Sequence, residues 1–374
     1  MVGGYIIKSI KEIAGILSSD ISERRLGNPY FSDENYQSYP YIKENFHEIK
    51  KNHSNRKICS IDGGNQELYP APEYSIQLNR IYFNILKDKQ IFPIKSEIPQ
   101  QMEFISLTTL NRENQNTYFE TKYALENDEY RKYLPSEKDL RVKAFEVDFR
   151  LGNKALMERM ASMARRFAEW TIAEYIIDSE LDEGDIIIKD GSLQTSHANE
   201  NKYVERVFEK ALNNGVLFTG LSKSCRLTTN TGYSLIAAID KFARDNDIQY
   251  PEWCYFPIAR SKQGKEHKAV IMVVKLNRNA STPFRFEILK SQADNMTKEE
   301  IIDVISSISE YSKDITIPGY PYGLFDAHVW ARVRNEDLNN YKIILDSELA
   351  RTEVYEDFNA RIKAVSMHDK LDEL

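Results

Sequence analysis

Apolar residues along this chain recur with two periods, and the switches between them mark out its elements. Ile6, Ile7, Ile10, Ile13 and Leu17 return every three or four residues, which predicts a helix over 5–18. A polar stretch rich in Tyr and Asn follows, to about residue 56. Ile58-Cys59-Ser60-Ile61 is a short apolar run and predicts a buried strand over 57–62. Tyr74, Ile76, Leu78, Ile81, Phe83 and Ile85 alternate enough to predict one or two strands over 74–86. Residues 88–140 are charge-rich with few periodic apolar positions, and read as an elaboration on the core rather than a separate domain.

From about 152 the helical period returns. Met160, Met163, Phe167, Trp170, Ala173 and Ile177 line one face of a long helix. A strand over 185–190, a helix near 200–213, a strand over 216–221 and a helix over 232–244 come next. Strands are predicted at 253–259, 269–276 and 283–288, the last two joined as a hairpin around 277–280. Helices at 297–312 and 345–366 complete the chain. Strands interleaved with helices, plus a run of adjacent strands, define an α/β domain with a mixed sheet. The expected division is a helical and polar extension over 1–56, a core over 57–340 and a C-terminal helix over 341–374.

Composition narrows the class. The chain has 374 residues, 41% hydrophobic and 29% charged, as expected of a globular protein with a sizeable core. Its three cysteines, Cys59, Cys225 and Cys254, are widely separated, which argues against a disulfide framework or a zinc finger and fits a reducing cytoplasm. No apolar run is long enough for a membrane span. A net charge of −7 is unlike a free-standing DNA binder. Basic clusters exist at Lys154, Arg159, Arg165 and Arg166, at Arg260, Lys262, Lys265 and Lys268, and at Arg332 and Arg334. Scattered charge of this kind is usually a solvated face.

Candidate chemistry sits where apolar runs meet glycine. Asp62-Gly63-Gly64 and Asp190-Gly191-Ser192-Leu193 each read as a buried strand ending in a carboxylate, followed by a glycine that turns the chain or admits a close neighbour. A lone aspartate of this form usually caps its own turn. Two on neighbouring strands would converge on one sheet edge and suit Mg²⁺ or Mn²⁺. A third acid is expected from Glu169, set among Arg166, Phe167 and Trp170, with Glu174 as second choice and Glu158 and Glu146 as further candidates. Lys223, after the Gly220-Leu221-Ser222 turn, could contact phosphate, or be a surface lysine. The Gly-x-x-x-x-Gly-Lys spacing of a P-loop is absent. His328 follows a rigid Pro318-Gly319-Tyr320-Pro321 loop and could ligate a metal or move a proton, or be structural.

In order, these pieces resemble the NurA nuclease family. They are Asp62-Gly63, Arg166-Phe167-Ala168-Glu169, Asp190-Gly191-Ser192-Leu193, the Gly220-Leu221-Ser222-Lys223 turn, and Gly319-Tyr320-Pro321 leading to Ala327-His328. The resemblance covers about residues 57–335. It implies an RNase H-like core with a mixed sheet flanked by helices, a Mn²⁺- or Mg²⁺-dependent DNA nuclease using two metals, and a homodimer. It also implies a HerA-type hexameric ATPase as partner, in DNA repair or antiviral defence. By the resemblance, Asp62, Glu169 and Asp190 bind metal, Tyr320 and His328 complete the site, and Lys223 contacts phosphate. Two other readings stand beside it: an actin-like ATPase or kinase, which would need a second glycine-rich phosphate loop, and a silent scaffold docked on a motor ATPase.

Overall fold

A computed structural model describes residues 2–52, 54–144, 153–262 and 266–372. The helix α1 (Val2–Glu23) leads to two short strands, β1 (Tyr36–Ser38) and β2 (Phe46–Glu48). A long hairpin follows, β3 (Ile58–Pro70) and β4 (Tyr74–Lys87), then β5 (Gln90–Ile91), β6 (Gln101–Glu113), β7 (Asn116–Ala124) and β8 (Arg141–Lys143). Next come α2 (Asn153–Ala161), α3 (Met163–Ser179), β9 (Ile186–Asp190), α4 (Glu200–Asn213), β10 (Leu217–Ser222) and α5 (Leu235–Asp245). The meander β11 (Trp253–Ser261), β12 (Ala269–Lys275) and β13 (Phe284–Leu289) precedes α6 (Lys290–Ala293) and α7 (Lys298–Ser309). The last helices are α8 (Tyr322–Ala331), α9 (Asn335–Leu349) and α10 (Tyr355–Asp372).

The strands form one sheet in the order β1-β11-β12-β13-β10-β9-β3-β4-β6-β7-β8, with β2 also on β11 and β5 on β4. Among these pairs, β3 with β9 and β9 with β10 are parallel and the rest antiparallel. Central parallel strands are covered on both faces, so β9 reads as an unbroken apolar run, with Ile186, Ile187 and Ile188 all fully buried. Alternation then divides its neighbours between two cores. Cys59, Ile61 and Ile187 pack with Phe167, Ala168 and Trp170 of α3, whereas Ile58, Ile186 and Ile188 pack with Ile305 of α7 and Leu324 of α8.

Several elements differ from the sequence expectation. The first strand does not end at Asp62 but runs straight through Gly63 and Gly64 to Pro70. Residues 88–140 supply β5, β6 and β7, which extend the sheet toward β8. Their period was masked because some inward positions hold small polar residues that satisfy one another. Asn79 Nδ2 donates to Ser106 Oγ at 2.8 Å, and the Thr108 and Thr121 hydroxyls lie 2.8 Å apart. Likewise β1 and β2 arise inside the polar N-terminal stretch and pair with β11. The long helix after 152 is two helices that part at Ser162, and the C-terminal one is α9 and α10, parted near Thr352, whose hydroxyl donates to the Leu349 carbonyl at 2.6 Å. Glu146 and Lys265 lie outside the described residues. No helix among the described residues is long and apolar enough to cross a membrane.

Candidate active site

The parallel register sets the first two acids side by side. Ile61 of β3 pairs with Lys189 of β9, so the next residues, Asp62 and Asp190, adjoin each other at the carboxyl end of β9. Both share the face that carries Ile58, Ile186 and Ile188, and α8 covers that face. From α8, His328 Nδ1 reaches Asp62 Oδ2 at 3.0 Å. Oxygens of Asp62 and Asp190 and a ring nitrogen of His328 lie within 4.8 Å of one another. Lys223, just past β10, places Nζ 2.8 Å from Asp190 Oδ2 and 3.5 Å from Asp62 Oδ2. Tyr320 donates its hydroxyl to Asp190 Oδ1 at 3.2 Å. Five of the six expected residues therefore converge.

His328 was expected after a rigid loop. It does follow that loop, on a helix that opens directly behind Pro321, and the glycines of β3 decide how closely that helix approaches. A Cβ at Gly64 would fall well inside contact distance of the Ala331 carbonyl oxygen, on the last turn of α8. A Cβ at Gly63 would meet the Glu169 carboxylate and, at 2.8 Å, Arg165 Cδ. Successive residues of a strand face opposite sides, so the Gly-Gly pair admits α8 on one face and α3 on the other. Gly191 serves a turn instead: its φ of +92° is unfavourable for a residue with a Cβ.

Glu169 is on the α3 side. It is 2% exposed and ion-paired to Lys189 Nζ at 2.8 Å and to Arg165. Lys189 also donates to the Asp190 carbonyl at 3.1 Å. Glu169 thus adjoins the backbone at Gly63 but stands apart from the Asp62, Asp190 and His328 group. Glu174 pairs with Arg206 at 3.0 Å, and Glu158 is exposed. The basic clusters are partly neutralised: Arg165 by Glu169, Arg166 by Glu200, Arg260 by Asp294 and Lys268 by Glu205. Arg332 and Arg334 make no ion pair among the described residues.

The electrostatics push the two aspartates apart. Burial opposes ionisation of Asp62, but the His328 hydrogen bond and the Lys223 charge outweigh it and hold the carboxyl below its ordinary value. Asp190 moves up, first through burial and then through the charge of Asp62, with Lys223 offsetting part of the rise. The Tyr320 phenol is driven far up by burial and the two acids, so it stays a donor. Two like charges this close are stable only with a cation between them. In the structure that cation is the Lys223 ammonium.

A second network, absent from the sequence reading, braces the Asp190 loop. Glu287 of β13 is fully buried and accepts the Leu193 backbone N–H at 2.8 Å. His267 Nε2 lies 2.8 Å from the same Glu287 oxygen, its Nδ1 is 2.6 Å from the Tyr36 hydroxyl, and Arg285 pairs with the other oxygen. Glu200 does similar work behind α3, accepting Trp170 Nε1 at 2.8 Å and Ser196 N at 2.7 Å and pairing with Arg166. One signal was legible: a glutamate flanked by Phe286 and Ile288 within a strand is rarely buried unless paired.

Burial works against ionisation of both glutamates, yet their partners pull each down to about 2: Arg285 and His267 for Glu287, His197 and Arg166 for Glu200. Their stabilising effect is complete above the ordinary carboxylate range near pH 4.5 and is lost as pH falls toward 2. Thermal melts are therefore expected to worsen steeply below about pH 4.5. Glu200→Gln should cost roughly 3 kcal/mol at pH 7 and flatten that slope. An unchanged slope in the variant would remove Glu200 from this account.

Fold and cluster together define an α/β domain with an acidic, cation-accepting centre where two parallel strands meet under a helix. The model of the NurA domain matches residues 56–333, well over half of the chain, and the chain belongs to that family. The crystal structure of the NurA nuclease from Sulfolobus solfataricus is similar at a TM-score of 0.54 and 13% identity, over 91% of this chain and 95% of that one. An Argonaute from Aquifex aeolicus is far looser, at a TM-score of 0.27 and 8% identity over 74% and 28%. No curated protein sequence matches the chain.

Proposed function

We propose that this protein is a divalent-metal-dependent DNA nuclease. The observation that carries the reading is the meeting of Asp62, Asp190 and His328 within 4.8 Å, in a chain of the NurA family. Two carboxylates and an imidazole fit Mn²⁺, and with more retained water Mg²⁺. Asp62, Asp190 and His328 would hold the cation, which supplies Lewis-acid stabilisation of charge on a phosphate oxygen. Glu169 joins that set only by giving up Lys189 or Arg165, so Glu169→Gln tests its part separately.

The chain's own groups have defined tasks in this reading. With a cation in its place beside the acids, Lys223 would be free to turn its ammonium to the phosphate. Tyr320 donates to Asp190 and orients it. The buried Glu287 keeps the Asp190 loop in register through the Leu193 N–H. A net charge of −7, with most arginines paired, favours delivery of DNA by a partner over tight free binding. That partner is a HerA-type ATPase, acting with a homodimer of this chain in the cytoplasm.

End-labelled single- and double-stranded DNA, incubated with Mn²⁺ and either wild type or Asp62→Ala, tests the reading. Cleavage by wild type alone is expected; equal cleavage by both proteins, or by neither, rejects it. Lys223→Ala makes a finer check. Without its internal competitor the site should bind Mn²⁺ several-fold more tightly by calorimetry, while the protein cleaves more slowly. Unchanged Mn²⁺ affinity would mean that Lys223 does not occupy the cation position.

A further inference from the structure

The helix that carries His328 also carries an apolar stripe that the interior does not use. Tyr322, Phe325 and Val329 are 39%, 36% and 36% exposed and stand at i, i+3 and i+7, one above another on the outer face of α8. His328 lies on one flank of this stripe. Trp330 lies on the other, 51% exposed, with its ring stacked on Tyr82 at a centroid distance of 6.0 Å. Gln101 Nε2 fixes the Trp330 carbonyl at 3.0 Å, and Asp326, the one acid of α8, accepts from Asn84 Nδ2 at 2.8 Å. Arg332 continues the stripe past the helix end, exposed and without an ion pair among the described residues.

We propose that this stripe is a stacking surface for unpaired bases of a single DNA strand, whose backbone it leads to Asp62, Asp190 and His328. The inference rests on the nuclease reading for its substrate and adds which residues would hold an unpaired strand beside the site. Aromatic faces bind every base because every base has a π face, and they bind only bases that are out of a duplex. A base on Phe325 would lie about one helical turn, ~5 Å, from His328. Arg332 supplies the cation that a neighbouring phosphate needs. The Tyr82 contact keeps the Trp330 ring oriented before any strand arrives.

The test uses the full chain with Asp62→Asn to prevent cleavage, and an oligonucleotide carrying 2-aminopurine, either single-stranded or closed in a hairpin duplex. The single strand should bind more tightly than the duplex, with quenched 2-aminopurine emission. Tyr322→Ala with Phe325→Ala should weaken single-strand binding by about tenfold or more and abolish the quench, leaving duplex binding unchanged. Phe325→Leu, which keeps apolar area but no ring, should behave like the alanine variant. Equal loss on single strand and duplex, or a Phe325→Leu variant that binds like wild type, overturns the proposal. So does a stripe variant whose sedimentation mass falls to that of a monomer, since the stripe would then cover a second copy. A protein that stacks single strands but cuts no DNA in Mn²⁺ would end the nuclease reading and leave this surface standing.

Discussion

Asp62→Asn and Asp190→Asn should each abolish cleavage, by a factor of ~10³ or more, while both proteins stay folded and Asp190→Asn melts at least as high as wild type. Each change removes one of the two carboxylates proposed to hold the cation, and with it charge stabilisation that the remaining ligands cannot replace. At Asp190 stability should not suffer, because two acids this close repel in the absence of metal. Asp190, already raised by burial and by Asp62, is the less costly of the two to neutralise. Asp62→Asn also loses an acceptor for His328, so a small drop in melting temperature is expected there and not at Asp190. Single-turnover digestion in Mn²⁺ beside a thermal melt reads both quantities. A folded Asp190→Asn protein with a near-normal rate would disprove the proposed centre.

The second large effect is expected at a residue with no side chain. Gly64→Ala would set a methyl group against the Ala331 carbonyl, and Gly64→Val would add two more carbons there. The neighbour is backbone at the end of α8, so it cannot rotate aside; the helix has to move outward as a unit. Overpacking of this kind costs about 1–3 kcal/mol. Catalysis should fall much further than the folded fraction, because His328 lies one turn before Ala331 and would leave Asp62. Far-ultraviolet circular dichroism should be unaltered and the cleavage rate down by a factor of about 10². A folded Gly64→Val protein that cuts at the wild-type rate would show that the approach of α8 does not set the site.

What the sequence displayed depended on whether burial was apolar. β9 was legible because Ile186, Ile187 and Ile188 are apolar on both sides, and β11 to β13 for the same reason. β6 and β7 were not, because Ser106, Thr108 and Thr121 occupy interior positions and pair through their hydroxyls. Residue type marked Asp62, Asp190, Lys223, Tyr320 and His328, and a glycine beside an apolar run showed where backbone must be approached. It did not show by what. The Gly63-Gly64 pair was readable as a turn or as close packing, and only the positions of α3 and α8 decide between them. Glu169 looked suitably buried in sequence, yet the face of α3 on which it lies is fixed by packing that its local spacing does not encode.

Asp62 and His328 are separated by 266 residues, Asp62 and Lys223 by 161, and Tyr320 and Asp190 by 130. Contacts of such long range form late, after the entropy of closing the intervening loops has been met. The β3–β4 hairpin can arise locally, but the parallel pairing of β3 with β9 cannot, and α8 has nothing to dock on until both strands are in place. A nascent or partly unfolded chain therefore carries every acid of the site and none of its geometry. Activity would appear only with the last cooperative step of folding, which keeps the proposed nuclease centre inert in any unfinished copy of the molecule.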